Sequence, residues 1–418
     1  MGIEIRELQA NEFYAAQLVF SQAYPWLKNQ NVGQIVERIS ANKELHKNDW
    51  MKFYGVWLDD ALAGVFIQYQ FLQNFRGKIF PIAGIGAVGV DWLKKKRHVA
   101  KSLIEYFITT NAAKGNLFTA LYPFRPDFYK QMGYALGHNL FEYRFQPGRL
   151  INDDSSDGLQ HLDKRCLATQ QQLEHCYDRH HAKTHGSINK WSRWWNKLVD
   201  DDNIWIIGEY RDEVLTSYLA FKIEKLETGI GDGMDLCVEE IVGADSAAWR
   251  QYRSFLATQS DQFRTINIVT AQKDFQYNFT DPRFYDNTVG FGWKFMTARQ
   301  SMGMMQRICR PRDCWQHFSE INFGAVSTVV EFSVVDSLLG KVEKFTVEFF
   351  GGYPNLSDQT AEFSVELEIA EYTALLMGSA DVKALVYYGK VKVIANEGVE
   401  VLARLFNSGD YPENGVYF

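Results

Sequence analysis

An apolar run at residues 79–90 leads into a turn with four consecutive basic residues and then into a segment of helical periodicity. The basic residues are Lys94, Lys95, Lys96 and Arg97. Apolar side chains then recur at the spacing of one helix face, namely Val99, Ala100, Leu103, Ile104, Phe107 and Ile108. This order predicts a strand, a basic turn and a helix. Because the first turn of a helix has unpaired N–H groups and a positive dipole end, the junction is predicted to bind an anion such as a pyrophosphate.

An aromatic segment downstream gives the second informative pattern. Gly115 is predicted to end the helix, and residues 117–122 are predicted to form a second strand. A short helical turn follows, stops at Gly133 and carries Phe128 and Tyr129. The whole unit therefore alternates strand, helix, strand and helix.

The basic turn and the pattern Phe128-Tyr129, three residues, Gly133-Tyr134 together resemble the acetyl-CoA-binding core of the GNAT N-acetyltransferases. Over its full length the chain resembles the Eis (enhanced intracellular survival) type. In that type a GNAT domain, a degenerate second GNAT domain and a sterol-carrier-protein-like domain follow one another. The resemblance implies an α/β (α+β) protein with tandem GNAT folds, each a mixed sheet flanked by helices, and a C-terminal SCP2-like α+β domain.

Three domains are predicted along the chain. Residues 1–150 form the acetyl-CoA-binding catalytic domain and 151–302 a degenerate GNAT-like domain. Residues 303–418 form a sterol-carrier-like domain whose C-terminus is implied by the resemblance to reach the active site. A polar, turn-rich stretch at residues 152–158 is predicted to be the first linker between domains. The middle domain repeats the order of the first without a basic turn, and is interpreted as a structural partner.

The C-terminal region is predicted to be a sheet with helices. Its strands are predicted at 326–335, 343–350, 363–369 and 384–394, and its helices at 371–377 and 397–406. By itself such a domain favours lipid binding, so a lipid carrier remains an alternative function of a different class.

Charge and composition exclude several classes of partner and site. The net charge is −7, and residues 311–418 alone carry 16 acidic and 7 basic side chains. An acidic balance without a basic stripe argues against nucleic acid. No stretch approaches the ~20 apolar residues of a membrane span, and the N-terminus has no apolar signal core, so a cytoplasmic protein is expected. Five scattered cysteines without a CxxC pair predict neither a disulfide framework nor a metal site.

One motif in the central strand is misleading. Gly84, Gly86 and Gly89 satisfy GxGxxG, the dinucleotide fingerprint. In a true fingerprint the third glycine opens a helix, whereas Val88 and Val90 here continue the apolar strand. Glycine inside a strand more often marks a bulge or a close approach to the backbone.

The resemblance to GNAT enzymes assigns the acetyl-CoA site residue by residue. The strand backbone that pairs with the pantetheine arm corresponds to Val88, Gly89 and Val90. The phosphate turn and the start of its helix correspond to Lys95, Lys96, Arg97, His98, Val99, Ala100 and Lys101. His98 stands where the family usually has glycine, which bears on cofactor affinity. Phe124 and Arg125 match a second cofactor-contacting patch.

The resemblance also implies the catalytic residues. Tyr129 corresponds to the general acid, which a tyrosine with a reference pKa near 10 can supply while protonated. The general base is implied to be the terminal carboxylate of Phe418, whose reference pKa is about 3.5. The alternatives are a core tyrosine bonded to backbone and a frayed tail. Tyr24, Trp26 and Tyr417 are candidates for the acceptor site, although aromatic residues also simply fill gaps.

The sequence thus predicts direct acetyl transfer from acetyl-CoA to an amine, without a metal and without a cysteine acyl carrier. The resemblance implies polyamine substrates such as aminoglycosides, or lysine-containing peptides, and a homo-oligomer such as a hexamer. A GNAT protein that binds coenzyme A without turnover remains the other alternative.

Overall fold

The computed structural model describes residues 2–25, 50–152, 155–225, 233–285, 294–395, 397–407 and 411–418. It divides into two compact units. The first unit contains Met1–Gly137, Met304–Tyr411 and Tyr417–Phe418, and the second contains His138–Gly303 and Pro412–Val416.

The described strands and helices follow one another along the chain. The strands are β1 (Ile3–Glu7), β2 (Met51–Leu58), β3 (Ala61–Phe75), β4 (Lys78–Val90), β5 (Phe118–Leu121), β6 (Asn139–Phe145), β7 (Leu159–His161), β8 (Ile204–Arg211), β9 (Val214–Lys225), β10 (Met234–Val242), β11 (Phe263–Thr270), β12 (Arg299–Met302), β13 (Met305–Ile308), β14 (Thr328–Asp336), β15 (Lys341–Phe350), β16 (Tyr353–Ser357), β17 (Phe363–Glu368) and β18 (Val391–Ile394). The helices are α1 (Phe13–Ala23), α2 (Val99–Ala113), α3 (Pro126–Gln131), α4 (Leu167–His181), α5 (Ser192–Asp200), α6 (Ser246–Ala257), α7 (Cys314–Phe318), α8 (Ile369–Met377), α9 (Val382–Tyr387) and α10 (Gly398–Phe406).

The first unit contains a mixed sheet with strand order β1-β2-β3-β4-β5-β13. Successive residues of β3 point to opposite faces, as the strand period requires. Val65 packs in a cluster with Val19 and Phe20 of α1, whereas the ring of Phe66 lies edge-on to Phe107 of α2, with centroids 6.2 Å apart. The sheet is therefore covered by a helix on each face, as predicted for a GNAT fold.

The strand, basic turn and helix predicted at the centre of this sheet are confirmed. β4 runs through all three glycines of the misleading motif, and α2 begins only at Val99, after the basic residues. A dinucleotide-binding fold is thereby excluded, because no helix opens at the third glycine.

The C-terminal part of the first unit is a five-stranded sheet with order β16-β15-β14-β17-β18 and four short helices. Trp315 lies at its centre and is fully buried. Its ring packs against four phenylalanine rings with centroids 5.3 to 6.1 Å away, those of Phe318, Phe323, Phe332 and Phe349. The interior of this sterol-carrier-like domain is therefore occupied by the protein's own aromatic side chains.

One predicted strand of this region is wrong in its first half. Residues 382–387 form α9, because Asp381 caps the helix by accepting a hydrogen bond from the Ala384 N–H at 2.8 Å. Gly389, with φ +66°, then turns the chain into β18. The apolar residues between Asp381 and Gly389 show no periodicity that would distinguish a strand from a short helix.

The second unit contains a seven-stranded sheet with order β12-β6-β11-β10-β9-β8-β7. Its core places Tyr252 and Leu256 of α6 against strand residues such as Leu219, Leu236 and Ile266. In the described part of the chain, no helix is long and apolar enough to cross a membrane.

Candidate active site

The central strand β4 separates from its neighbour β5 halfway along its length. The parallel pairing covers Ile82 to Gly84 of β4 and stops where Gly84 meets Ala120. β4 then continues to Val90 while still paired with β3 on its other edge. Among the described strands, none pairs with this last part of β4 on the β5 side. The N–H and C=O groups along that edge are therefore available to an extended ligand.

A β-bulge lies in the separated part of β4. Ile67 pairs with Gly86 and Val65 with Gly89, so two β4 residues, Ala87 and Val88, stand opposite one β3 residue. Ala87 has φ +50°, which gives the strand its bend. Val88, Gly89 and Val90, the residues expected to pair with pantetheine, form the bulge and the strand end that follows it.

Each glycine of the misleading motif has a packing reason. A methyl group added at Gly84 would lie 2.6 Å from the ring of Phe418, which is too close. One added at Gly86 would lie 3.1 Å from the ring of Tyr69, with the backbone oxygen of Phe418 in ordinary contact at 3.5 Å. One added at Gly89 would lie 3.0 Å from the Cβ of Ala23 in α1. The glycines thus allow close approach of the Phe418 ring, of the Tyr69 ring and of α1.

Phe418 is held over β4 by aromatic side chains of the same unit. Its ring centroid is 4.8 Å from that of Phe71 and 5.4 Å from those of Tyr69 and Tyr122. Tyr417 is exposed, but its ring lies 4.9 Å from that of Tyr122. Phe418 is therefore packed, and its backbone carbonyl carbon and oxygen lie beside Gly86 where β4 and β5 separate.

Tyr129 lies on α3 and is 8% exposed. Burial, with the nearby Tyr24 as a second cause, raises the pKa of its hydroxyl above the ordinary tyrosine value. Among the residues that the structure describes, none forms a hydrogen bond with this hydroxyl. The alternative of a core tyrosine bonded to backbone is thus not favoured, and the group is protonated at neutral pH.

Tyr24 follows α1 and reaches the β4 bulge. Its hydroxyl donates to the carbonyl oxygen of Val88 at 3.4 Å. Its pKa is raised by burial and, secondarily, by Tyr69. Tyr24 is also the side chain that contributes, after burial, to the raised pKa of Tyr129. Trp26, the other aromatic candidate for the acceptor site, lies outside the described residues.

The predicted phosphate turn connects a short 3₁₀ helix, Trp92–Lys94, to α2. Lys96 and His98 both have φ +62° in this turn, and His98 is the N-cap of α2. The His98 side chain is exposed and makes no capping hydrogen bond, so it leaves the first N–H groups of the helix accessible. Lys95, Lys96 and Arg97 are also exposed, and within the described ranges no carboxylate pairs with them. Val99 is buried, Ala100 is partly buried, and Lys101 is exposed and pairs with Glu105 at 3.6 Å.

The left-handed backbone at His98 explains both why glycine is usual there and why histidine is tolerated. Among residues with a Cβ, histidine is enriched in this conformation, whereas a β-branched residue is strongly disfavoured. We therefore expect His98→Val to weaken coenzyme A binding about tenfold, because holding a valine in the left-handed conformation of this turn costs roughly 1–2 kcal/mol. Isothermal titration calorimetry measures the dissociation constant. His98→Gly is the control and is expected to bind as tightly as the unsubstituted protein; equal affinity of the valine variant would contradict the prediction.

Phe124 and Arg125 lie between the end of β5 and α3. Both are exposed, and the guanidinium of Arg125 pairs with the Asp127 carboxylate. Because β4 and β5 are parallel, these residues lie beyond the same end of the sheet as the phosphate turn. Their position is consistent with a second contact to the same ligand.

The second unit repeats the strand geometry but not the anion site. β10 has a bulge between Val238 and Glu240, and its parallel pairing with β11 stops at Cys237. Asp245 then caps α6 by accepting hydrogen bonds from Ala247 N–H at 3.1 Å and Ala248 N–H at 2.8 Å. A carboxylate of the chain thus occupies the helix N-terminus in the second unit, whereas exposed cations precede the corresponding helix in the first unit.

Sequence reasoning missed Tyr69, Tyr122 and Phe71, the side chains that surround Phe418. Each belongs to a strand or to its end, and their pattern does not differ from that of ordinary buried aromatics. Among the described residues, no group of three or more His, Cys, Asp or Glu side chains is placed to hold a metal ion. All five cysteines are free thiols.

Comparison with known families assigns three domains. Residues 4–137 match one acetyltransferase (GNAT) domain family, residues 186–308 match another, and residues 316–412 match the sterol carrier protein domain family. A search of curated proteins finds no match.

Several solved structures share the fold along the whole chain. A GCN5-related N-acetyltransferase from Anabaena variabilis has a TM-score of 0.79 at 16% identity, covering 100% of both chains. A protein from Enterococcus faecalis described as a probable N-acyltransferase has a TM-score of 0.80 at 16% identity, also covering 100% of both. Eis1 from Mycobacterium abscessus has a TM-score of 0.76 at 18% identity, again with complete coverage of both chains. At such identity these likenesses establish the fold.

Two GNAT domains and a sterol carrier protein domain, in this order, define an acyltransferase. The chain therefore contains two acetyltransferase (GNAT) domains followed by a sterol carrier protein domain, and it shares its whole-chain fold with Eis1 from Mycobacterium abscessus.

Proposed function

We propose that the protein transfers an acetyl group from acetyl-CoA directly to the amine of a small polyamine, an aminoglycoside-like molecule or a lysine-containing peptide. The observation that carries this proposal is the position of the Phe418 carboxylate beside Gly86, where β4 and β5 separate. The chain itself thereby supplies a carboxylate to a site that contains no other obvious base on the central strand.

Two features of the first unit fit acetyl-CoA. The edge of β4 from Val88 to Val90, which pairs with no described strand on the β5 side, offers backbone donors and acceptors to the amide groups of a pantetheine arm, with the Val88 carbonyl shared with the Tyr24 hydroxyl. The exposed cations Lys95, Lys96 and Arg97, with the N-terminus of α2, fit a diphosphate. Because these cations have no carboxylate partners among the described residues, their charge remains available to the ligand.

Tyr129 and Phe418 divide the proton transfers between them. When bound, acetyl-CoA supplies a thioester that the amine attacks, with the thiolate as leaving group. The Phe418 carboxylate accepts the proton that the amine loses, either directly or through a water molecule. The Tyr129 hydroxyl, kept protonated by its raised pKa, donates a proton to the departing sulfur.

The aromatic surroundings of the carboxylate suit a cationic acceptor. Tyr69 and Tyr122 lie against Phe418, and Tyr24 lies at the adjacent bulge. Faces of aromatic rings attract ammonium groups, and a carboxylate adds an opposite charge. An amine would therefore be drawn to the place where its proton is removed.

A thiol-release assay tests this function. The full chain with its native C-terminus is mixed with acetyl-CoA and one member of a panel containing an aminoglycoside, a linear polyamine and a lysine peptide. We expect release of free coenzyme A thiol that depends on the added amine. A sample without amine measures background hydrolysis, and mass spectrometry of the product identifies the acetylated nitrogen.

The other outcomes separate the alternatives. Calorimetric binding of coenzyme A without thiol release on any amine would favour a GNAT protein without turnover. No binding of coenzyme A would contradict the proposal altogether. Lipid that copurifies with the chain would favour a carrier, although the aromatic packing around Trp315 argues against an open lipid cavity.

A further inference from the structure

The helix that carries Tyr129 ends against a buried charge. The carbonyl oxygen of Met132, just after α3, accepts a hydrogen bond from Nη1 of Arg307 at 3.2 Å. Arg307 lies in β13 and is fully buried. Its Nη2 donates to a carboxylate oxygen of Asp336 at 2.6 Å. Because a buried charge that loses its partner is strongly destabilising, this ion pair fixes the guanidinium in place.

Gly133 leaves the space that this guanidinium occupies. It has φ +82°, and a methyl group added there would collide with Nη1 of Arg307 and lie 2.7 Å from Cγ2 of Ile369. The glycine therefore does more than stop a helix. It lets an arginine from another part of the chain reach the last carbonyl groups of α3, where a cation is favoured by the helix dipole.

Tyr129 is connected directly to this anchored turn. Its carbonyl oxygen accepts hydrogen bonds from the N–H groups of Met132 at 3.0 Å and Tyr134 at 3.1 Å. A helix of only six residues, such as α3, has little stability of its own. The direction of the Tyr129 side chain consequently depends on what holds the end of the helix.

The residues that hold it come from the C-terminal part of the first unit. Asp336 is the last residue of β14 in the sterol-carrier-like sheet. A second ion pair joins Lys130 of α3 to Glu371 of α8, with Nζ and Oε1 3.4 Å apart. Both contacts connect α3 to this domain, and the one through Arg307 is the more deeply buried.

We propose that Arg307, held by Asp336, is a positioning residue that aims the Tyr129 hydroxyl at the reacting sulfur. The inference rests on the proposed role of Tyr129 as general acid. Arg307 does not touch the reacting atoms; it acts through the Met132 carbonyl. Through Asp336, the sterol-carrier-like domain thereby contributes to acetyl transfer, and this contribution requires no bound lipid.

A double-mutant cycle tests the proposal. We expect Arg307→Lys to lower kcat about tenfold, since small misplacements of a catalytic group carry large rate penalties. The KM for acetyl-CoA and the calorimetric Kd for coenzyme A are expected to stay within about twofold, because the binding groups are untouched. In a Tyr129→Phe background the same substitution is expected to have no further effect on kcat. An equal loss in both backgrounds would indicate general structural damage and overturn the proposal.

Two further variants complete the test. Arg312→Lys is the matched control, because Arg312 is exposed and only loosely paired with Asp313 at 3.8 Å, and it should change neither kcat nor the melting temperature. If Arg307→Lys does not fold, Asp336→Glu is used in the same cycle, because it keeps the charge that pairs with Arg307 and displaces the carboxylate that holds the guanidinium. An unchanged kcat in a folded Arg307→Lys or Asp336→Glu variant overturns the proposal. A Tyr129→Phe variant with the full rate overturns the proposed acid as well, which distinguishes the two failures.

Discussion

Replacing Tyr129 by phenylalanine is expected to lower kcat by about a hundredfold or more, the usual contribution of a positioned general acid. The substitution removes only the hydroxyl, and no other described residue is hydrogen-bonded to it, so the fold loses no internal bond. The KM for acetyl-CoA is expected to change little, because the phosphate turn and the edge of β4 are intact. Steady-state thiol release, with calorimetry for coenzyme A binding, measures both quantities.

Two other tyrosines serve as comparisons for this substitution. Tyr106→Phe, on α2 outside the site, makes the same chemical change and is expected to leave the rate unaltered. Tyr24→Phe removes the hydroxyl that contacts the Val88 carbonyl, and a smaller loss than at Tyr129 is expected there. If Tyr24→Phe loses more activity than Tyr129→Phe, the acid has been assigned to the wrong hydroxyl.

The pH dependence of the reaction provides an independent check on Tyr129. Burial raises its pKa, so the hydroxyl stays protonated to a higher pH than an ordinary tyrosine. The rate is therefore expected to rise with pH as the acceptor amine loses its proton. It is not expected to decrease at any pH below about 10, the ordinary tyrosine pKa. A rate that decreases as the pH rises just above neutrality, with no such decrease in Tyr129→Phe, would contradict a raised pKa of Tyr129.

The central unit of the fold could be predicted because its information is contiguous in the sequence. The apolar run, the basic residues and the helical spacing after Val99 each specify a local structure, and β4, the turn and α2 follow in the same order. The stop at Gly133 was likewise visible in the sequence. Its second role, giving space to Arg307, was not, because the two residues belong to distant segments.

Contacts between distant segments account for most of what sequence reasoning did not find. β13 completes the first sheet by pairing with β5, and β6 lies between β12 and β11 in the second sheet. Neither placement follows from periodicity, which specifies a strand but not its neighbours. The ring of Tyr69 beside Phe418 is a further example, since only the fold brings a mid-chain strand to the C-terminus.

The misleading glycine motif illustrates how local and distant information combine. The sequence shows that Gly84, Gly86 and Gly89 lie in a strand, and that something approaches the backbone there. It cannot show that the approaching group is the ring of Phe418 at Gly84 and the ring of Tyr69 at Gly86. The resemblance to the Eis type implies that Phe418 supplies an active-site carboxylate, and this role stays a prediction. The structure shows the Phe418 ring packed on Phe71 and against Gly84.

Extension of the C-terminus is expected to lower kcat by about a hundredfold or more, because it converts the proposed base into a neutral amide. A short glycine-serine tag after Phe418 makes this change while keeping the aromatic ring. Coenzyme A affinity is expected to stay nearly constant, since neither the phosphate turn nor Val88 to Val90 is altered. Thiol release and calorimetry on the same preparation separate the two effects.

Matched variants distinguish loss of the charge from loss of packing. A tag of equal length at the N-terminus controls for the added residues and should leave the rate intact. Phe418→Ala keeps the carboxylate but removes the ring that packs on Phe71 and Gly84, so it is expected to lose less activity than the extension. Deletion of Phe418 removes the ring and moves the terminal carboxylate back to Tyr417, so a larger loss than in Phe418→Ala is expected, and added acetate or formate should restore part of the rate by acting at the vacated position. Full activity in the C-terminally tagged protein would rule out the terminal carboxylate and leave the amine to be deprotonated by solvent.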